Sequence, residues 1–226
     1  MNKKSYLITY YLLFFINSSF SLFSREPVTF NKSVHKSREG LIVIDAGHGG
    51  KDEGTANHKE HYEEKSLTLA TAILVQSQLR KLGYKTMLTR QTDVFVPLLK
   101  RSELANSHQA KVFISIHYNY SQNPLALGTE VYYYVDKKGF KRTNLSKTLG
   151  EELLVNLKTE ANIISRGVKV GNFSVIRETK MPAVLIEVGF LSNPKERERL
   201  LDPRNRMKIA KGIALGIHSY LNKTNK

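Results

Sequence analysis

Residues 41–50 read LIVIDAGHGG, and few stretches of ten residues leave a chain less freedom. The aliphatic run Leu41, Ile42, Val43 and Ile44 is what strands of parallel sheets look like when both faces are covered. The run ends at Asp45, after which small residues expose His48 between Gly47 and Gly49. Open α/β sheets place their ligand sites just past the C-terminal ends of such strands. His48 is therefore a candidate first ligand of a metal site, and its partners should lie at the ends of other elements.

Along the rest of the chain, strand-like and helix-like segments alternate. Residues 57–63 are polar, and from Glu64 the pattern turns helical, with Leu67, Ala70 and Leu74 at the spacing of one buried face. Gly83 ends this helix. Glu64 lies on the inward side of its first turn, and Glu63 is about 100° away, so Glu64 is the better candidate for a site beneath that face. Residues 84–90 read as a second strand and residues 98–106 as a short helix. Residues 111–118 (KVFISIHY) form a third strand, whose period of two puts Phe113, Ser115 and His117 on one face and Val112, Ile114 and Ile116 on the other. His117 thus ends its strand as His48 follows its own. Residues 128–135 predict a strand, 145–162 a long amphipathic helix, and 168–178 a strand pair or extended excursion containing Arg177. Residues 183–190 (AVLIEVGF) predict an apolar strand with Glu187 in its middle, and 204–221 a closing helix packed through Ile209, Gly212, Ile213 and Gly216. This order predicts a single α/β domain with a mostly parallel mixed sheet flanked by helices on both faces.

At 226 residues the length favours one domain. Lys3 and Lys4 precede an apolar run over residues 6–16, with small residues following up to Ser21. Such a run is too short for a membrane span of about twenty residues, so residues 1–21 read as a signal peptide, an uncleaved anchor being the other reading. Residues 22–38, polar and holding Pro27, read as a linker or flexible arm, leaving 39–226 as the catalytic domain of an exported protein, periplasmic or extracellular. There is no cysteine, which excludes disulfides, thiolate ligands and lipid-modified cysteine. Any metal must be held by His, Asp or Glu. The formal charge of +15 points to a polyanionic partner or simply to solubility. With no nucleic-acid motif and no tryptophan, the expected partner is an anionic envelope polymer or membrane surface.

His48, Glu64 and His117 make a set of two histidines and one carboxylate, the composition of several hydrolytic zinc sites, which leave a fourth position for water. Zinc lowers the pKa of bound water from about 15.7 towards roughly 7. A further carboxylate must then relay the proton. Glu187 is the candidate, because a charged, unpaired glutamate in so apolar a strand would cost several kcal/mol. Singly, each residue has a plainer reading. His48 could cap or pack, Glu64 could favour a helix dipole, and Glu187 could pair with Arg177 or Lys180. Asp45 either orients His48 from behind or stabilises the turn. His58, His61, His108 and His218 read as surface or loop residues.

The motifs IDAGHGGKDEG around His48, EKS at Glu64, LTRQTD at Arg90, FISIHYN around His117, GTEVYYY, and MPAVLIEVGFLSN around Glu187 stand in order at suitable intervals. Together they resemble the zinc-dependent N-acetylmuramoyl-L-alanine amidases of amidase family 3, from Leu41 to about Leu221. The resemblance implies one zinc ion bound by His48, Glu64 and His117, with Glu187 as the catalytic carboxylate, and it settles Glu64 over Glu63. It implies hydrolysis of the amide between N-acetylmuramic acid and L-alanine of the peptidoglycan stem peptide, Glu187 taking the proton from water and returning it to the alanine nitrogen. Asn119 and Arg177 are weaker candidates for orienting substrate. Ala46, Ser66 and Tyr118 depart from the family's usual proline, aspartate and small residue, and Tyr118 is expected to narrow the cleft. Some members carry an inserted helix after the second histidine motif that an activator protein must displace. Residues 119–128 are too short for it, though an activator stays open as a partner. A zinc carboxypeptidase or endopeptidase on the same peptides, or a noncatalytic wall-binding protein, are the alternative readings.

Overall fold

A computed structural model describes residues 38–57, 59–60, 62–136 and 139–224. The expected signal peptide, nearly all of the expected linker, and His58 and His61 lie outside the described residues. The elements follow the chain as β1 (Arg38–Ala46), β2 (Ala56–Asn57), β3 (Tyr62–Glu63), α1 (Glu64–Lys81), β4 (Tyr84–Leu88), α2 (Leu98–Ser107) and β5 (Val112–Asn119). After these come β6 (Thr129–Tyr133), α3 (Phe140–Ala161), β7 (Ser165–Val170), α4 (Ser174–Arg177), β8 (Ala183–Phe190), α5 (Pro194–Leu201) and α6 (Pro203–Thr224). Six strands form one sheet in the order β4-β1-β5-β8-β6-β7, and β2 and β3 form a separate small hairpin. The first four are mutually parallel, while β6 runs antiparallel to β8 and parallel to β7. The expected single α/β domain with a mostly parallel mixed sheet is therefore what forms.

Alternation along the strands builds two unlike faces. Ile42, Ile44, Ile114, Ile116, Val184, Ile186 and Val188 point to one side and pack with Val75 and Leu79 of α1, Leu149, Leu153 and Leu157 of α3, and Ile209, Ile213 and Ile217 of α6. Each such side chain contributes about 1.5–3 kcal/mol by leaving water. On the other side Val43, Phe113, Ala183 and Leu185 meet Ala105 of α2 and Val175 and Ile176 of α4. This thinner face also carries Asp45, Ser115, His117 and Glu187, one strand apart in register: Asp45 pairs with Ser115, and His117 with Glu187.

Several expectations need correction. Arg38 already belongs to β1, so the strand starts before Leu41. The buried face of α1 runs through Leu67, Thr71, Val75 and Leu79, whereas Ala70 and Leu74 are only half-buried. The segment 168–178 is no strand pair: β7 begins at Ser165 and is followed by the single turn α4, which holds Arg177. α3 begins at Phe140, before the apolar stripe that made it legible. α5 was not expected at all, being short and dominated by charged residues. Among the described residues no helix is long and apolar enough to cross a membrane.

Candidate metal centre and acid–base site

β1 and β5 deliver the two histidines because both strands end at the same edge of the sheet and run parallel. His48 takes the left-handed conformation, with φ of 59°, which is uncommon for a residue with a side chain. Two buried arginines hold the turn there. Arg101 donates to the carbonyls of Ala46 (2.7 Å) and His48 (2.9 Å), and Arg90 to those of Ala46 (3.0 Å) and Gly47 (2.8 Å). These are the carbonyls a strand leaves without a ladder partner at its end, and buried they must be satisfied. Gly47 has to be glycine, since a Cβ there would collide with the His117 ring. A Cβ on Gly54 would lie 2.6 Å from Glu64 Oε2 and 2.8 Å from His48 Nε2.

The three candidate ligands come together as a triangle. His48 Nε2 lies 3.0 Å from Glu64 Oε1, and His117 Nδ1 lies 3.1 Å from both. Donors on a tetrahedral zinc at about 2.0–2.1 Å stand roughly 3.3 Å apart, so the spacing and the nitrogen and oxygen donor set both suit a zinc ion. His48 Nδ1 meets Asp52 Oδ1 at 2.8 Å, which fixes Nδ1 as donor and turns the Nε2 lone pair into the triangle. Burial would lower the His48 pKa, but hydrogen bonds and charge from Glu64 and Asp52 outweigh it and raise it. Glu64 is itself anchored by backbone N–H groups, of Thr55 on Oε2 (2.9 Å) and Tyr118 on Oε1 (3.0 Å). Burial pushes its carboxyl up, yet the hydrogen bonds from His117 and His48 hold it well below the usual range.

Asp45 does not touch His48. It is fully buried and accepts from Arg101 Nη1 (2.9 Å), Thr89 Oγ1 (2.7 Å) and Ser115 Oγ (2.7 Å), so it stabilises the turn through Arg101. The carboxylate placed to orient His48 is that of Asp52, 2.8 Å from Nδ1, a residue outside the candidates that the sequence offers. Its signal was its place four residues after His48 in the same glycine-rich loop. Tyr118 faces the large apolar core, with its hydroxyl 2.6 Å from Thr71 Oγ1, so it does not narrow the cleft.

Glu187 sits between His117 on β5 and Glu130 on β6, directly opposite each. Its Oε2 is buried without a hydrogen-bond partner among the described residues. Burial raises its carboxyl to about 7, His117 pulling it down while the charges of Glu64 and Glu130 add to the rise. Asn119, at the end of β5, donates Nδ2 to Glu130 Oε2 (3.0 Å). Arg177 is not drawn in: it spends Nε on Glu178 and Nη1 on Asn172. His108 is exposed after α2, as expected, but His218 is half-buried on α6 against the Tyr84 hydroxyl at 2.8 Å. A cavity of about 110 Å³ lined by His48, Asp52, His117, Phe173 and Leu185 opens on the site. A larger apolar hollow of about 700 Å³, lined by Leu125, Leu127 and Ile164, contains none of these groups, so size does not mark the chemistry here.

Residues 42–219 match the family model described as N-acetylmuramoyl-L-alanine amidase. Over 84% of its length the chain is 32% identical to the N-acetylmuramoyl-L-alanine amidase AmiA of Escherichia coli K12, covering 78% of that protein. It is 31% identical, again over 84% of its length, to the probable cell wall amidase LytH of Staphylococcus saprophyticus, of which it spans 61%. The catalytic domain of the amidase CwlV from Paenibacillus polymyxa superposes with a TM-score of 0.75 at 40% identity, over 81% of this chain and 99% of that one. The CwlD amidase of Clostridioides difficile, solved in complex with the GerS lipoprotein, also gives 0.75, at 31% identity over 82% of this chain and all of that one. A family match across most of the chain, reached by the same fold, shows that this chain belongs to the N-acetylmuramoyl-L-alanine amidases of amidase family 3.

Proposed function

We propose that the chain is a zinc-dependent amidase that cleaves the bond between N-acetylmuramic acid and L-alanine in peptidoglycan. The observation that carries this reading is Glu187: a carboxylate whose buried Oε2 has no partner among the described residues, directly across the strand pair from His117 in the His48, Glu64, His117 triangle. The three residues of the triangle would hold one zinc ion. That ion would polarise the scissile carbonyl and acidify a water, as zinc does in hydrolases. Glu187 Oε2 takes the proton from the attacking water and returns it to the alanine nitrogen as the bond breaks. Burial and the charges of Glu64 and Glu130 raise this carboxyl, and a zinc ion in the triangle would lower it, so its part rests on the placement of Oε2 beside the triangle. Asp52 keeps the His48 tautomer, and the arginine clamp of Arg90 and Arg101 keeps the loop.

Residues 1–21 are assigned as a signal peptide and 22–37 as a linker, with the catalytic domain starting at Arg38 of β1, in keeping with a substrate outside the cytoplasmic membrane. The charge of +15 suits an anionic envelope polymer or membrane surface. Residues 120–128 join β5 to β6 without a helix, so an activator would have to act elsewhere than on an inserted plug.

Digestion of purified sacculi with and without chelator, followed by mass analysis, tests the reading. The expected products are peptides with a free L-alanine amine and glycan stripped of peptide, both lost with chelator. Release of D-alanine alone would make the chain a carboxypeptidase, and binding without products a wall-binding protein.

A further inference from the structure

The pairing of β6 with β7 is interrupted at Glu130. Thr129 pairs with Ser165 and Val131 with Val168, so Arg166 and Gly167 together oppose the single residue Glu130. An extra residue of this kind bends the strand and re-aims a side chain, and such bulges concentrate beside functional sites. Gly167, with φ of 90°, supplies a conformation that other residues avoid. The result is that Arg166 Nε (2.7 Å) and Lys169 Nζ (2.6 Å) both donate to the same oxygen, Glu130 Oε1. The other oxygen is taken by the Tyr132 hydroxyl (2.7 Å) and Asn119 Nδ2 (3.0 Å).

One carboxylate balances one of these two cations, and the excess charge faces outward. The side chains of Arg166 and Lys169 are 40% and 38% exposed, against 5% for Glu130. Arg166 is also fixed in place: its guanidinium stacks 5.2 Å from the Phe190 ring centroid, and Nη1 donates to the Leu127 carbonyl at 3.3 Å. Its Nη2 has no hydrogen-bond partner among the described residues. A planar, partly desolvated guanidinium with a lysine beside it is the arrangement that recognises a carboxylate.

Glu187 stands between His117 on β5 and Glu130 on β6, with β7 beyond, so the cation pair lies on the side of Glu187 away from the triangle, where a peptide whose nitrogen takes its proton from Glu187 can extend. Neighbouring strands are about 4.8 Å apart, which puts β7 roughly 10 Å from β8. Two extended residues reach about 7 Å, and the long side chains of Arg166 and Lys169, turned back onto Glu130, shorten the remaining gap. Resting on the amidase reading above, we propose that Arg166 and Lys169, held by Glu130, form a subsite for a carboxylate on the stem-peptide residue that follows L-alanine.

The test uses two synthetic muramoyl peptides that differ only in whether that residue bears a free carboxylate or a carboxamide. The full-length zinc-loaded protein should cleave the carboxylate form with kcat/KM at least about tenfold higher, mainly through KM, as charge-assisted hydrogen bonds imply. Lys169→Gln should bring the ratio close to one, and Lys169→Arg should restore most of it. Equal cleavage of both peptides by the unaltered protein, or a full ratio in Lys169→Gln, would overturn the subsite and leave the amidase reading standing. Cleavage of neither overturns both. The first comparison needs no variant, so it decides even where a substitution disturbs folding.

Discussion

Glu187 and Glu130 face each other on adjacent strands, and both are withdrawn from water, yet their surroundings drive them in opposite directions. Glu130 receives four donors, from Lys169, Tyr132, Arg166 and Asn119. Burial alone would raise its carboxyl, but those hydrogen bonds hold it down to about 2. Glu187 has an oxygen with no donor among the described residues, and burial takes its carboxyl up to about 7. What separates the two carboxylates is therefore the supply of donors acting together with depth: Glu130 is less deeply buried and well supplied, while Glu187 is deeper and has an oxygen without a donor among the described residues.

Replacing Glu187 with Gln breaks the comparison most sharply, because the amide keeps the shape and loses the titratable oxygen. The expected loss in kcat is about 10²–10⁴-fold, the usual worth of a general acid–base. Zinc content and the circular dichroism spectrum should match the parent, since none of the three candidate ligands is touched. Undiminished hydrolysis by Glu187→Gln would remove the carboxylate from the mechanism.

Much of this was legible in the residues. Strands β1, β5 and β8 announce themselves as apolar runs, and alternation gives His117 and Glu187 a face on their own strands, while the register that sets them side by side comes from the structure. Glu64 is found from its place at the start of a helix together with the EKS motif, although the buried stripe runs through Thr71 and Val75 and not through Ala70 and Leu74. What hides is contact without periodicity. Asp52 reaches His48 across a glycine-rich loop, where nearness in sequence is a hint that no periodicity supports. Arg90 and Arg101 are buried at 3% and 1% exposure, where arginine is seldom found unless it is paired, so their part in holding the His48 turn could not be read from composition. Glu130 lies inside a motif that was noticed, but alternation gives the face of a side chain and says nothing of its partners on β7. The bulge that brings Arg166 to it depends on register, which the sequence does not display.

Asp52 offers an intermediate case, a carboxylate that acts only through the histidine it holds. Asp52→Ala leaves all three candidate ligands in place and removes the acceptor on His48 Nδ1. Partners of this kind contribute about 10–100-fold to metal affinity or activity. Competition for zinc against a chelating dye should show a weakening within that range, while the ligand variant His48→Ala should lose far more. A zinc affinity equal to the parent's would mean that Arg101 and the loop alone orient the ring.

The smallest effect probes Glu130 itself, through acid. Its folded pKa of about 2 lies below the ordinary 4.5, so the folded state binds that proton less readily than the unfolded chain does. The stability it contributes is accordingly complete above about pH 4.5, falls as pH drops from there towards 2, and is gone below. Glu130→Gln cannot titrate and lacks this contribution at every pH. Because Arg166 and Lys169 are more than a third exposed, water and salt screen the cluster, and the expected gap at neutral pH is only about 2–5 °C in Tm. Thermal melts of parent and variant from pH 7 to pH 2 should show two curves that run parallel above about pH 5 and converge below it. Curves that stayed parallel down to pH 2 would mean that Glu130 is not held ionised by its donors, and the contrast with Glu187 would then rest on burial alone.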